Sequence, residues 1–202
     1  MAIYSYIIPR DYGFAPNPFY GVCSLATCKP RIRKHAGVGD WIIGFGSAAD
    51  AFKEKMIYAM RVDDKITFDE YWKMDEYQCK KPVMNGSLKQ KYGDNIYHRE
   101  ADKWKQADSH HSLDSGEVNI HNLRKDTSTD AVLLSTHFWY FGKSAINVPK
   151  ELQKLIHKGI GHSKHTVLEI QLQSWLESLS EGGVIDEPAM FSTEFKRYDG
   201  KS

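Results

Sequence analysis

Two apolar runs with very little chain between them constrain this sequence more than any other feature. Val38-Gly-Asp-Trp-Ile-Ile-Gly-Phe-Gly-Ser47 is a compact hydrophobic stretch closed by glycines, and Met56-Ile-Tyr-Ala-Met-Arg-Val62 alternates apolar with amphipathic residues. Both patterns predict strands of a buried sheet. Gly44-Phe-Gly-Ser-Ala-Ala49 also fits the loose form G-x-G-x-x-A, and Asp63 and Asp64 follow about twenty residues on, as in a dinucleotide-binding turn. A parallel crossover, however, needs roughly a dozen residues or more, and Ala48 to Lys55 supplies only eight. The runs are therefore predicted as antiparallel neighbours joined by a loop, which argues against a Rossmann unit.

Around this pair, 202 residues with 41% apolar and 26% charged side chains describe one globular domain with a real core. Lys and Arg number 27 against 26 Asp and Glu, so no long-range field draws the chain to nucleic acid and any polyanion contact must be local. The densest local patch is Lys29-Pro-Arg-Ile-Arg-Lys-His35, with four Lys and Arg in seven residues. Cys23, Cys28 and Cys79, in a chain with no signal peptide, point to a reducing, cytosolic setting, and Cys23 and Cys28 read as small buried hydrophobes. No apolar run reaches the roughly eighteen residues of a membrane span, so no membrane partner is expected.

In chain order, Ala2 to Ile8 is β-branched and aromatic and predicts a central strand. The loop from Arg10 to Gly21 keeps four aromatics, with Tyr12, Phe14, Asn17 and Phe19 as candidate ligand contacts on a preformed surface. Val22 to Thr27 fits either a strand or a helix. Pro30 opens a short helix through Ala36 that carries basic residues, of which Lys29 and Arg33 are candidate phosphate contacts. Thr67-Phe-Asp-Glu70 has the form of a capping box. Residues 80–130 are polar yet too long for a bare loop, so tertiary contacts should order them. Ala131 to Ser135 and Phe138 to Phe141 return to strand composition and should complete the sheet. Pro149 to Lys158 reads as an amphipathic helix, and Lys164 to Ser180 as the clearest one, with Leu168, Leu172, Trp175, Leu176 and Leu179 on one face. From Asp186 the tail is expected to pack irregularly or fray.

Two stretches concentrate chemistry. Asp108-Ser-His-His-Ser112 offers a carboxylate and two imidazoles, so Asp108, His110 and His111 are candidate acid and base residues. Adjacent residues of an extended segment point opposite ways, so the two rings are not expected to share a metal ion, and no metal-site spacing occurs elsewhere. Met84 to His98 supplies groups that read a base and its phosphate: Asn85, Asp94 and Asn95 for edges, Tyr92 for stacking, Lys89 for phosphate, with His98 closing the string. The same residues also build ordinary turns. Walker, kinase, G-x-S-x-G and zinc-hydrolase signatures are missing, and no particular cofactor is indicated.

Asp11-Tyr-Gly-Phe-Ala-Pro-Asn-Pro-Phe19, Cys28-Lys-Pro30, Val38 to Gly44, Met84 to Gln90, Tyr92 to His98, Asp108 to Ser112 and Phe138-Trp-Tyr-Phe-Gly142 together resemble the second family of nucleotide-modification-associated domains, found in bacteriophages and bacteria. The likeness runs to about Gly161, with residues 162–202 outside it. It implies a setting in nucleotide or nucleic-acid modification. A weaker resemblance to the PUA-like group of ASCH and EVE domains lies in Lys34 to Val62, with its Gly-Asp turn and Ser-tipped loop, and it implies a small barrel holding a base near Ser47. The expectation is then a single α+β domain with a mixed, mostly antiparallel, barrel-like sheet, flanking short helices and a C-terminal helix. Its expected ligand is a nucleotide or a base in modified nucleic acid. The alternatives are a base- or nucleotide-modifying enzyme using Asp108 with His110 or His111, and a phage protein that sequesters a signalling nucleotide in host defence.

Overall fold

The computed structural model describes residues 1–47, 51–191 and 194–200. The chain runs β1 (Ile3–Ile8), β2 (Cys23–Leu25), α1 (Pro30–His35), β3 (Trp41–Gly46), β4 (Met56–Arg61), β5 (Asp64–Ile66), α2 (Phe68–Lys73), α3 (Leu88–Lys91) and the hairpin β6 (Tyr97–Glu100) and β7 (Lys103–Gln106). It continues through α4 (Ile120–Asp126), β8 (Val132–Ser135), β9 (His137–Tyr140), β10 (His162–His165), α5 (Glu169–Leu179) and β11 (Gly183–Val184).

The expected pair is present: β3 and β4 are antiparallel, with Trp41 opposite Arg61 and Ile43 opposite Ala59. The glycines serve close packing there. A Cβ at Gly44 would lie 2.4 Å from the Ile8 side chain, and one at Gly46 would lie 2.1 Å from the Phe52 carbonyl oxygen. They let neighbouring chain approach, which accounts for the motif without a phosphate. β1 lies inside the sheet, parallel to β3 and antiparallel to β10. The strand order is β10-β1-β3-β4-β9-β11.

This sheet is open rather than barrel-like, because β10 and β11 end it as separate edges. Nor do both late strands join it. β9 pairs with β4, whereas β8 leaves to form a second sheet of order β2-β8-β5. Two of the chain's crossings between the sheets, at Val62–Asp63 and at Thr136, meet at one corner. Asp63 fixes that corner, since its carboxylate accepts from the Thr136 amide at 2.6 Å and hydroxyl at 2.8 Å.

Period-two alternation distributes the core over both faces of the large sheet. Tyr4, Tyr6, Ile42, Met60 and Phe138 pack on one side with Leu25, Ile32 and Leu133. Ile3, Trp41, Ile43, Ala59 and Trp139 pack on the other with Leu152, Leu155, Leu172 and Leu176. Trp41 is fully buried and stacks on Trp139 at 6.1 Å, so it is a core residue. A third cluster collects Tyr12, Phe14, Phe68, Tyr71, Tyr92 and Tyr97 around the polar insert.

Two helices begin or wind differently from their sequence pattern. α5 starts at Glu169, because His162–His165 instead supplies the antiparallel partner that the edge of β1 needs. Lys150–Leu155 is a 3-10 helix that still buries Leu152 and Leu155. The capping box at Thr67 is formed, with the Glu70 carboxylate 2.7 Å from the Thr67 amide and the Glu70 amide 3.2 Å from the Thr67 hydroxyl. The tail, expected to fray, is stitched in: Met190 N–H donates to the Asp11 carbonyl and Tyr198 N–H to the His110 carbonyl. Among the described residues no helix is long and apolar enough to cross a membrane.

Candidate functional site

The end of β1, the aromatic loop, the turn into α1, the histidine pair, α4 and the tail converge on one cavity of about 540 Å³. That size suits a nucleotide-sized ligand. Tyr6, Tyr12, Phe14 and Tyr198 contribute rings to its wall, and Arg10, Lys29, Arg31, Lys125, Lys196 and Arg197 contribute cations. Among the described residues only Arg197 of these six has a carboxylate partner, Asp108 at 2.5 Å. Among the described residues Asp11 is the one acid in the lining, and it is committed inward. Its buried carboxylate accepts from the Tyr140 hydroxyl and from the amides of Gly13 and Ala189, both at 3.2 Å. Burial pushes its pKa up.

One wall carries an ordered cluster. The His111 Nδ1–H donates to Asp126 Oδ2 at 2.8 Å, and Nε2 lies 3.8 Å from Cys28 Sγ. Asp126 is held by two further donors, the Cys28 amide at 2.8 Å and the Tyr97 hydroxyl at 2.9 Å. Arg33 locks the scaffold from behind, reaching the carbonyls of Cys28 at 2.9 Å, Asp126 at 2.6 Å and Ala131 at 2.6 Å. Cys28 and Lys29 both sit in the left-handed region, at φ 56° and 38°. For residues with a Cβ this costs of the order of 1–3 kcal/mol each, and it persists here because Arg33 and Asp126 over-determine the turn.

The adjacent histidines have opposite electrostatics. Burial, then the neighbouring His111 charge, pushes the His110 pKa down to about 3, so His110 is neutral and its Nδ1–H donates to the Lys196 carbonyl at 2.5 Å. Burial also opposes the charged form of His111. The Asp126 carboxylate outweighs it, followed by Cys28, and raises His111 to about 9. Phe14 wedges against both rings, 4.9 Å from His110 and 4.7 Å from His111.

Of the residues that the sequence nominated, Tyr12, Phe14, Lys29, His110 and His111 line this cavity. Asp108 does not; it faces outward and pairs with Arg197, so the carboxylate beside the catalytic candidates is Asp126. Arg33 is buried in the scaffold rather than open to phosphate. Asn17, Tyr92, Asp94 and Asn95 turn inward to order the insert. Asn17 Nδ2 donates to the Tyr92 carbonyl at 3.0 Å, Asp94 accepts from Ser24 at 2.7 Å and Tyr71 at 2.8 Å, and Asn95 donates to the Tyr71 carbonyl at 2.7 Å. Phe19 stacks on Phe191 at 5.6 Å with Lys89 Nζ 5.2 Å from its ring. His98 stacks on Trp72 at 3.9 Å. Asn85 is exposed, and neither it nor Ser47 lines the cavity.

A family model described as nucleotide modification associated domain 2 matches residues 1–195. The chain belongs to that family. No curated protein and no solved structure matches it. The family match extends well beyond Gly161 and takes in α5, β11 and the first part of the tail, which the motif likeness had left outside. The tail residues that line the cavity, Lys196, Arg197 and Tyr198, lie just past the matched stretch.

Within this family member, several residues of the cavity and of the cluster behind it carry no signal in the sequence. Asp126 lies 98 positions from Cys28, and His111 lies 83 positions from it, so no local spacing announces the cluster. Arg10, Lys125 and the run from Lys196 to Tyr198 are far apart in sequence and meet only through the fold. The usable signal was Cys28-Lys-Pro30, a cysteine placed just before a helix within the basic patch.

Proposed function

We propose that this protein binds a phosphate-bearing nucleotide in the cavity, as its part in nucleotide modification. One observation carries the reading: five cations, Arg10, Lys29, Arg31, Lys125 and Lys196, line a cavity with no carboxylate partner among the described residues, in a chain whose formal charge is only +1. Surface charges are normally interspersed with opposite ones, so single-sign crowding around a concave site is a feature of anion binding. The rings of Tyr12, Phe14 and Tyr198 supply apolar faces against which a base can lie, and base stacking tolerates many sequences. Near-zero net charge favours a free nucleotide or a base lifted from its strand over tight non-specific duplex binding.

Native mass spectrometry of protein purified from cells, before and after addition of a nucleotide mixture, tests this. The expected spectrum shows retained mass corresponding to a phosphate-bearing nucleotide, and loss of that mass in the Lys29→Gln/Arg31→Gln variant. A retained ligand without phosphate, or no nucleotide retained under either condition, would overturn the reading.

A further inference from the structure

Cys28 has three properties that a packing cysteine does not need. Its side chain lines the cavity, its sulfur faces a histidine nitrogen at 3.8 Å, and that histidine is oriented through its other nitrogen by a buried carboxylate at 2.8 Å. Nucleophile, base and orienting acid in that order are the arrangement of covalent acyl-transfer catalysts on unrelated folds, and nucleophile-to-base distances in unliganded sites are often longer than in the reacting complex.

The other cysteines give internal contrasts. Cys23 is buried, with no histidine hydrogen-bonded to its sulfur among the described residues, and Cys79 is exposed, with its sulfur on the Glu76 carbonyl at 3.5 Å. Asp126 is no generic ion-pair partner either. It receives the Cys28 amide, the Tyr97 hydroxyl and the His111 ring together, so it fixes the ring plane relative to the sulfur. The raised proton affinity of His111 suits a group that must hold the thiol proton.

We propose that Cys28 is a covalent nucleophile, His111 its proton carrier and Asp126 a positioning residue, and that together they act on an ester or amide carried by a phosphate-bearing nucleotide. The substrate class rests on the nucleotide reading of the cavity; the triad does not. The Sγ proton resides on His111 Nε2, and the thiolate attacks the acyl carbon. The S–C bond forms, the bond from that carbon to the ester oxygen or amide nitrogen breaks, and Nε2–H returns the proton to the departing atom. Water then adds to the thioester carbon, giving a proton to Nε2. As the S–C bond breaks, Sγ leaves as the thiolate while Nε2 keeps that proton, releasing the carboxylic acid and restoring the starting pair.

The test uses para-nitrophenyl acetate as probe, with the whole chain, and follows acetylation by peptide mass mapping. Cys28 should acetylate about a hundredfold faster than Cys79 in the same molecule, a ratio typical of base-assisted nucleophiles. His111→Gln, which keeps Cys28, should bring Cys28 down to the Cys79 rate, and Asp126→Asn should lower it while leaving Cys79 unchanged. Cys28→Ser should leave no acetyl on that peptide at the same time points. Circular dichroism on each variant identifies any that fails to fold, and for such a variant the Cys28-to-Cys79 ratio in wild type decides alone. Equal rates at Cys28 and Cys79 in wild type, or an unchanged ratio in folded His111→Gln, would overturn the triad. A parallel arm with adenosine 5′-monophosphate separates the two claims. Slowed acetylation of Cys28 supports the nucleotide substrate class, whereas fast acetylation that the nucleotide leaves untouched keeps the triad and contradicts that class.

Discussion

The molecule contains two polar clusters built from similar residues and used in opposite ways. In the insert, the buried Lys80 ammonium donates to the Asn17 carbonyl at 3.0 Å, the Asn17 side chain at 2.9 Å, the Val22 carbonyl at 2.6 Å and the Ser24 hydroxyl at 3.0 Å. Ser24 and Tyr71 in turn donate to Asp94, so the charges close on each other. Around the cavity, His111 and Asp126 are equally buried, yet the cluster ends on the partly buried Cys28 and on cations that have no carboxylate partner among the described residues. A closed network orders a long polar segment. An open one leaves capacity for a ligand. The distinction lies in where the last hydrogen bond goes, since composition is nearly the same in both.

The largest expected effect is structural. Lys80→Met removes all four ammonium hydrogen bonds of the closed network and leaves the Asp94 carboxylate buried without its cation, which should cost about 3–5 kcal/mol of stability. Urea unfolding would read this, and any folded fraction should bind nucleotide as wild type does. Wild-type stability with lost nucleotide binding would place Lys80 with the open cluster instead.

The histidine pair predicts a peaked stability profile. His110 titrates at about 3 when folded against 6.5 for the free ring, so between those values the unfolded chain binds the extra proton. The stability it contributes is present above pH 6.5 and is lost as pH falls toward 3. His111 titrates at about 9, so its contribution is present below pH 6.5 and is lost as pH rises through 9. Each limb can slope by up to about 1.4 kcal/mol per pH unit, with a maximum near pH 6.5. Urea midpoints from pH 5 to 9 should follow this shape. His110→Phe should flatten the acid limb and His111→Gln the alkaline one; the same limb flattening in both variants would contradict the assignment.

Smaller effects sharpen the boundary between the regions. Phe14→Ala should weaken nucleotide affinity by about 1–3 kcal/mol, measured by titration calorimetry, because its ring lines the cavity. Phe19→Ala should instead lower the melting temperature and spare affinity, since Phe19 packs on Phe191. Asp108→Asn is expected to change stability by no more than about 1 kcal/mol, as for an exposed ion pair, and to leave Cys28 reactivity intact. A large loss of that reactivity would return Asp108 to the chemistry.

These contrasts also explain what the sequence disclosed. The β3–β4 pair was legible because alternation, glycine closure and an eight-residue spacer are all local signals. The second sheet was not, because β2 and β5 have three residues each, too few to show a period. In the string from Met84 to His98, polar types were read as base contacts, and Asp94 and Asn95 proved to be internal ligands of the chain itself. Asn, Asp and Tyr serve a closed network and a ligand equally well, so only the fold separates the uses. The histidine pair was recognised, while its carboxylate was sought at the neighbouring Asp108 instead of at Asp126 across the fold.

On the function proposed here, the cavity cations that have no carboxylate partner among the described residues hold phosphate. Equilibrium dialysis of adenosine 5′-monophosphate against adenosine, on wild type and on Lys29→Gln/Arg31→Gln, tests it directly. The account predicts that the monophosphate binds wild type at least about tenfold more tightly, roughly 1.4 kcal/mol, and that the double variant erases this advantage while adenosine binding stays constant. Equal affinity of wild type for the two compounds, or an advantage that survives the double substitution, would contradict it.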